Sequence, residues 1–317
     1  MSEFWKTKRV LVAGGKGFLG SSVVERLQRE GCAACFAPSR QEADLRSADA
    51  VDRLYRESRP QIVLHLAGVV GGIQANTAHP GRFFYDNMQM GLNLIEQARH
   101  HGLEKFVLLS SACAYPKLAP VPFREEEIWN GYPEETNAPY AVAKRALMEQ
   151  LKAYRQEYGF PGIALIPGNL YGPRDHFDPQ TSHVVPALIR RCVEARESGQ
   201  KEIVLWGDGS PTREFLYVED CAEAILLAAE RYQKPEPVNV GTGSETSIRE
   251  LVGLMAELTR FTGRITWDSS KPGGQPRRRL DTSRASREFG FRAKTPLREG
   301  LEKTIAWYES NRFAHSL

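Results

Sequence analysis

The chain has 317 residues, 41% hydrophobic and 26% charged, with 42 Lys and Arg against 39 Asp and Glu for a formal net charge of +3. This length and apolar content suffice for a substantial core, in one large domain or two, and the near-balanced charge gives no reason to expect a nucleic-acid partner. No apolar run is long enough to span a bilayer, Met1 to Arg9 lack the apolar core of a signal peptide, and five scattered cysteines do not make a disulfide framework, so a cytoplasmic location away from membranes is expected.

Lys8 to Ala13 (KRVLVA) reads as a short buried strand ending in glycines, and Phe18 to Glu30 as a helix. A strand at Ala33 to Ala37, a helix at Ala48 to Ser58 and a strand at Gln61 to Ala67 follow. Cys32-Ala33-Ala34-Cys35 is formally C-x-x-C, but it has no second pair and opens a strand, so it reads as two small buried residues and no metal site is expected. The rhythm continues with a helix at Gly81 to His100, a strand at Lys105 to Ser110, a helix at Tyr140 to Tyr158 and a strand at Gly162 to Pro167. Such alternation predicts an α/β fold, a doubly wound parallel sheet of Rossmann type.

Beyond Pro167 the pattern loosens around Gly172-Pro173, Gly207 to Pro211 and Lys271 to Pro276, which predicts a smaller C-terminal substrate lobe. Val218 to Arg231 has helical spacing and Pro237 to Val240 reads as a strand, so the chain is expected to return to its first domain there. The predicted division assigns 1–167 and about 215–240 to a dinucleotide-binding domain, and about 168–214 and 241–317 to the lobe. Ala314 to Leu317 are expected to fray.

Gly14-Gly15-Lys16-Gly17-Phe18-Leu19-Gly20 lies between the first strand and the first helix, with glycines in G-x-x-G-x-x-G spacing. Missing β-carbons let backbone approach a pyrophosphate placed at the positive end of the helix dipole. Gly14, Lys16, Gly17, Phe18, Leu19 and Gly20 are therefore candidate cofactor contacts. An acidic residue at the end of the second strand would suit the ribose of NAD, but the chain reads Ala37-Pro38-Ser39-Arg40. Ser39, Arg40 and Lys16 instead suit a 2′-phosphate, favouring NADPH/NADP, with Asp44 and Leu45 flanking the adenine.

Tyr140 and Lys144 stand one turn apart on one helix face, where a nearby ammonium is expected to stabilise the phenolate. Ser111 lies just past the carboxyl end of the Lys105 to Leu109 strand, where an open α/β sheet places its ligands. This Ser with a later Tyr-x-x-x-Lys resembles the triad of the short-chain dehydrogenase/reductases, and the glycine spacing with a C-terminal lobe is similar to their extended, sugar-nucleotide branch. The resemblance implies Tyr140 as acid/base, Ser111 as partner of the substrate oxygen, and Lys144 as support for the phenolate and contact to the nicotinamide ribose.

Further segments are similar to the GDP-L-fucose synthase family of epimerase/reductases: Val70 to Ile73, Cys113 to Lys117, Asn169 to Pro173, Ser182 to Leu188, Trp206 to Gly209 and Arg213 to Phe215. Coverage is nearly end to end. The resemblance implies GDP-4-keto-6-deoxy-D-mannose as substrate, epimerised at C3 and C5 through enolates and then reduced at C4 with NADPH to GDP-L-fucose. Cys113 and His183 match the family's proton-exchanging pair, and thiol and imidazole suit that work near neutral pH. Taken alone, each is more often a structural residue. Asn169, Arg191, Trp206, Arg213 and Lys271 are implied for the nucleotide sugar; Arg277-Arg278-Arg279 adds charge, at least one member reading as solvated. A homodimer pairing first-domain helices is also implied.

The chain departs from the family at Val69, Ala112, Gly168 and Gly273, where Lys, Ser, Thr and Asp are frequent. These positions border the sugar pocket and leave open another GDP-4-keto deoxy or heptose sugar. A GDP-sugar 3,5-epimerase with tightly bound NAD is a rival that Arg40 disfavours. A 4,6-dehydratase lacks its acidic pair after Ser111, and a non-catalytic sensor on this fold would not keep the full triad.

Overall fold

The computed structural model describes residues 3–179, 181–270 and 275–312, and the expectations for Lys271, Gly273 and Ala314 to Leu317 lie outside them. In chain order the first half runs β1 (Arg9–Ala13), α1 (Phe18–Arg29), β2 (Ala34–Phe36), α2 (Ala48–Ser58), β3 (Ile62–His65), α3 (Ile73–Ala78), α4 (Pro80–His101), β4 (Lys105–Leu109), α5 (Ala138–Tyr158) and β5 (Gly162–Pro167). The second half runs β6 (Asn169–Tyr171), α6 (Val184–Glu197), β7 (Glu202–Trp206), β8 (Thr212–Arg213), β9 (Phe215–Tyr217), α7 (Val218–Arg231), β10 (Val238–Val240), β11 (Thr246–Ser247), α8 (Ile248–Thr259), β12 (Arg264–Asp268), α9 (Ser283–Phe289) and α10 (Leu297–Asn311).

Six strands form one parallel sheet in the order β10-β5-β4-β3-β1-β2, as expected from the alternation of apolar strands and helices. Its strands are buried on both faces because side chains alternate: Val10 and Val12 join one core with α1 and α7, whereas Leu11 and Ala13 join the other with α2, α4 and α5. β10 extends the sheet by pairing with β5, Val238 opposite Leu165. A third core gathers residues of α6, β7, α8, β12 and α10 around Ile189, Leu251 and Leu301.

The helix α3, directly after Gly71-Gly72, was not apparent in the sequence pattern. It is a six-residue helix, and Pro80 then opens α4 at a position where a missing N–H costs nothing. No helix among the described residues is long and apolar enough to cross a membrane.

Candidate active site

The carboxyl ends of β1, β3, β4 and β5 lie at one edge of the parallel sheet, where such sheets place their ligands, and the glycine loop after β1 forms one wall of the candidate site there. Gly14 has φ of +86°, and a β-carbon there would lie 2.7 Å from the Ala67 nitrogen. At Gly20 a β-carbon would lie 2.0 Å from the Gly14 carbonyl oxygen, so α1 seats on the loop only with glycine at that position. Gly17 caps α1 without a side chain, leaving backbone N–H groups at the helix start for an anion. Phe18 is half-buried and Leu19 buried, so both support the loop through packing. The cradle fits a dinucleotide pyrophosphate.

At the end of β2 two of the expected phosphate contacts, Lys16 and Ser39, are engaged, while Arg40 is exposed to solvent. Lys16 Nζ lies 3.0 Å from Glu42 Oε2, and the same oxygen accepts the Ser39 backbone N–H at 2.6 Å. Asp44 is taken up by Arg46, whose Nε donates to Oδ1 at 3.0 Å and whose Nη2 donates to Oδ2 at 2.7 Å. That pair holds the Asp44 carboxyl at about 2, so any adenine contact falls to its backbone and to Leu45.

Ser111 ends the β4 segment and caps a single 3-10 turn, its Oγ accepting the Cys113 backbone N–H at 3.2 Å. The Tyr140 hydroxyl hydrogen-bonds Ser111. Lys144, 3% exposed, donates from Nζ to the Leu109 carbonyl at 3.1 Å and lies 5.8 Å from the centre of the Tyr140 ring. Burial lowers the Lys144 ammonium to about 8. The expected phenolate stabilisation is not what results: burial first, then Cys113, raise the Tyr140 phenol well above its usual range, against the weaker opposing pull of the Ser111 hydrogen bond. Desolvation dominates the phenol, whereas the Lys144 ammonium, though lowered by burial, still carries its charge at pH 7. The phenol therefore rests protonated, as an acid.

Asn87 on α4 completes this wall and was missed from sequence. Its side chain donates to the Val69 carbonyl at 3.0 Å and accepts the Val69 N–H at 3.1 Å, locking the loop after β3. A β-carbon at neighbouring Gly68 would lie 3.1 Å from Asn87 Oδ1 and 3.9 Å from Lys144 Nζ. No local signal marked Asn87, because its partner is 18 residues away.

Cys113 sits on the 3-10 turn at Ala112–Ala114, and Arg278 Nη1 donates to its Sγ at 3.6 Å. Arg213 joins them: burial, then Arg278, lower its guanidinium to about 10, with Cys113 acting in the opposite sense. The run of three arginines thus divides. Arg277 pairs with Glu245, Arg279 lies 3.9 Å from the same carboxylate, and Arg278 turns to the thiol. Buried Glu214 sets this arrangement, accepting the Leu280 and Gly243 N–H groups at 2.7 and 2.8 Å. Burial raises its carboxyl despite those bonds.

His183 is the N-cap of α6 and is open to solvent. Although its side chain is exposed, desolvation by the surrounding loop, and then His176, lower its imidazole below the usual value, which favours the neutral form at pH 7. The preceding loop is tied to the Val-Gly-Gly segment by Gly72 N–H donating to the Thr181 carbonyl at 3.3 Å. Asn169 Nδ2 donates to the Glu214 carbonyl at 2.8 Å, next to Arg213. Arg191 reaches the Val204 carbonyl at 2.7 Å on the strand that carries Trp206, which is 72% exposed and offers a bare aromatic face. His65 is fully buried with neither ring nitrogen hydrogen-bonded, and its ring packs against Phe106. Among the described residues no cluster of His, Cys, Asp and Glu could hold a metal ion.

Residues 10–241 match the NAD dependent epimerase/dehydratase family. The chain is 42% identical to GDP-L-fucose synthase 1 of Arabidopsis thaliana over 96% of its own length and 94% of the relative's. A GDP-L-fucose synthetase from Naegleria fowleri, solved with NADP bound, superposes with a TM-score of 0.88 at 29% identity, covering 97% of this chain and 95% of that one. A GDP-6-OMe-4-keto-L-xylo-heptose reductase from C. jejuni superposes with a TM-score of 0.89 at 28% identity, covering 96% and 99%.

Proposed function

The chain belongs to the NAD dependent epimerase/dehydratase family and, within it, to the GDP-L-fucose synthases, and from that premise we propose that it converts GDP-4-keto-6-deoxy-D-mannose to GDP-L-fucose with NADPH. The observation that carries this reading is the convergence of Ser111, Cys113, Tyr140, Arg213 and Arg278 on one point beside the glycine-loop crevice.

The C4 ketone acidifies the hydrogens on C3 and C5. Cys113 and His183 remove each and return it to the other face, and neutral His183 is ready to accept a proton at pH 7. Arg278, bonded to the sulfur, orients Cys113, and with Arg213 it offers positive charge to an enolate or the diphosphate. Trp206 and Arg191 supply an aromatic face and a cation for the nucleotide, with Asn169 near the sugar. Lys271 is assigned to the same group by resemblance. Gly14, Lys16, Gly17, Ser39 and Arg40 hold NADPH, which supplies the hydride for C4 when bound. Tyr140, protonated at rest because of its burial, donates to the C4 oxygen, with Ser111 aligning that oxygen and Lys144 restoring the proton.

In this reading 1–167 and about 215–240 form the cofactor domain and the remainder the sugar-nucleotide lobe. Exposed Tyr85 and Leu92, seven residues apart on α4, support a homodimer through first-domain helices, and a cytoplasmic location suits the thiol chemistry. A related GDP-4-keto heptose or deoxy sugar is a second reading, favoured by Val69 and by Gly168. A β-carbon at Gly168 would meet only ordinary contacts, so that pocket position lacks a hydroxyl for no steric reason.

Mass spectrometry of the product formed with NADPH in heavy water tests the proposal. Two ring deuteriums together with the hydride are expected; reduction without ring exchange would remove Cys113 and His183 from their roles.

A further inference from the structure

At the carboxyl end of β2 the chain builds an anion site and fills it with its own carboxylate. Glu42 Oε2 receives the Ser39 backbone N–H at 2.6 Å and lies 3.0 Å from Lys16 Nζ, while Ser39 Oγ accepts the Glu42 N–H at 3.3 Å. The Ser39 N–H first, then Lys16, keep the carboxyl at about 2, so it is an anion throughout the working pH range. Ser39 and Lys16 are two of the three residues assigned above to the cofactor's 2′-phosphate. Donors that already grip a carboxylate have the charge and spacing to grip a phosphate oxygen.

We propose that Glu42 is an internal surrogate for the 2′-phosphate, a gate that NADPH must displace and that thereby limits the chain's preference for NADPH over NADH. This rests on the NADP reading of the site. The single Ser39 N–H cannot serve two anions at once, and a carboxylate left on it would repel a phosphate brought to Lys16, so phosphate binding requires Glu42 to swing out. Lys16 and Glu42 are 58% and 60% exposed, and an exposed ion pair of this kind is weak enough to exchange readily. NADH carries no phosphate, leaves the pair closed and can present its ribose hydroxyls to the carboxylate. The gate therefore weakens NADPH selectively.

The test is calorimetric titration of wild type and Glu42→Gln with NADPH, NADH and adenosine 2′,5′-bisphosphate. Glutamine keeps an oxygen for the Ser39 N–H while removing the charge, so the loop is retained. The variant is expected to bind NADPH and the bisphosphate about 2- to 5-fold more tightly, the range of an exposed ion pair, with NADH unchanged or weaker. Unchanged or weakened NADPH binding, or equal tightening of NADH, overturns the gate while leaving the NADP reading in place. Wild type binding NADH as tightly as NADPH overturns the NADP reading itself, and with it the gate.

Discussion

The residues proposed for reduction and the pair proposed for epimerisation are built differently. Ser111, Tyr140 and Lys144 stand on a strand end and the first turns of a long helix, braced by Asn87 from α4, with Lys144 buried and its ammonium pinned to the Leu109 carbonyl. Cys113 rides a single 3-10 turn, His183 caps a helix at the end of a loop, and Arg278 arrives from the segment before α9. In the proposed function, regular elements hold the step that needs one fixed hydride geometry, and loops carry the step that must reach two carbons and both ring faces.

If the two centres are separable in this way, Tyr140→Phe is expected to lower NADPH-dependent reduction by about 10²- to 10⁴-fold, the contribution of a positioned acid. Ring deuterium exchange from heavy water should persist, because Cys113, His183 and Arg278 are untouched. Exchange that falls in parallel with reduction would break the comparison, showing one proton network instead of two.

The converse change sharpens it from the other side. Cys113→Ser keeps an oxygen near Arg278 but replaces the thiol by a much weaker acid, and ring exchange is expected to drop about 10²- to 10³-fold. NADPH titrations should be unaltered, since Cys113 contributes no contact to the glycine loop. A parallel loss of cofactor affinity would mean that the thiol supports the Ser111 turn structurally and is not itself the proton carrier.

The same contrast governs what could be read in advance. The helices at Ala48–Ser58 and Val218–Arg231 and the strand at Gly162–Pro167 lie where apolar spacing placed them, because burial on a sheet imposes a local period. The placement of Tyr140 and Lys144 on one helix and of Ser111 just past a strand end was legible for the same reason. Which arginine of the 277–279 run turns toward Cys113 was not, because the choice depends on Glu245 taking Arg277. Asn87 and Glu214 were silent as well: each is a buried polar side chain whose partners lie 18 and 66 residues away. The expected depression of the Tyr140 phenol failed because helix spacing reveals the ammonium but not the desolvation that overrides it.

The smallest expected effect concerns the stability of the loop arm. Asp175 follows Arg174, which adopts φ of +68°, in the segment leading to His183. Its Oδ1 accepts the His176 N–H at 2.7 Å, but its Oδ2 is buried without a hydrogen bond, and burial pushes its carboxyl up to about 7. A folded value above the unfolded one, near 4 for a free carboxyl, means that the native state holds the proton more tightly. Stability from this group is thus full below about pH 4 and is lost as pH rises through about 7. Asp175→Asn keeps the acceptor for His176 and cannot ionise. It should raise the thermal midpoint at pH 8, through relief on the order of 2–4 kcal/mol, with the advantage vanishing toward pH 4. Reduction by Tyr140 should be unaffected, so a stability cost carried by the His183 arm alone would be exposed. A pH-independent gap between the two midpoints would show instead that the Asp175 carboxylate is satisfied in solution, and that the loop arm is no more strained than the helix-borne centre.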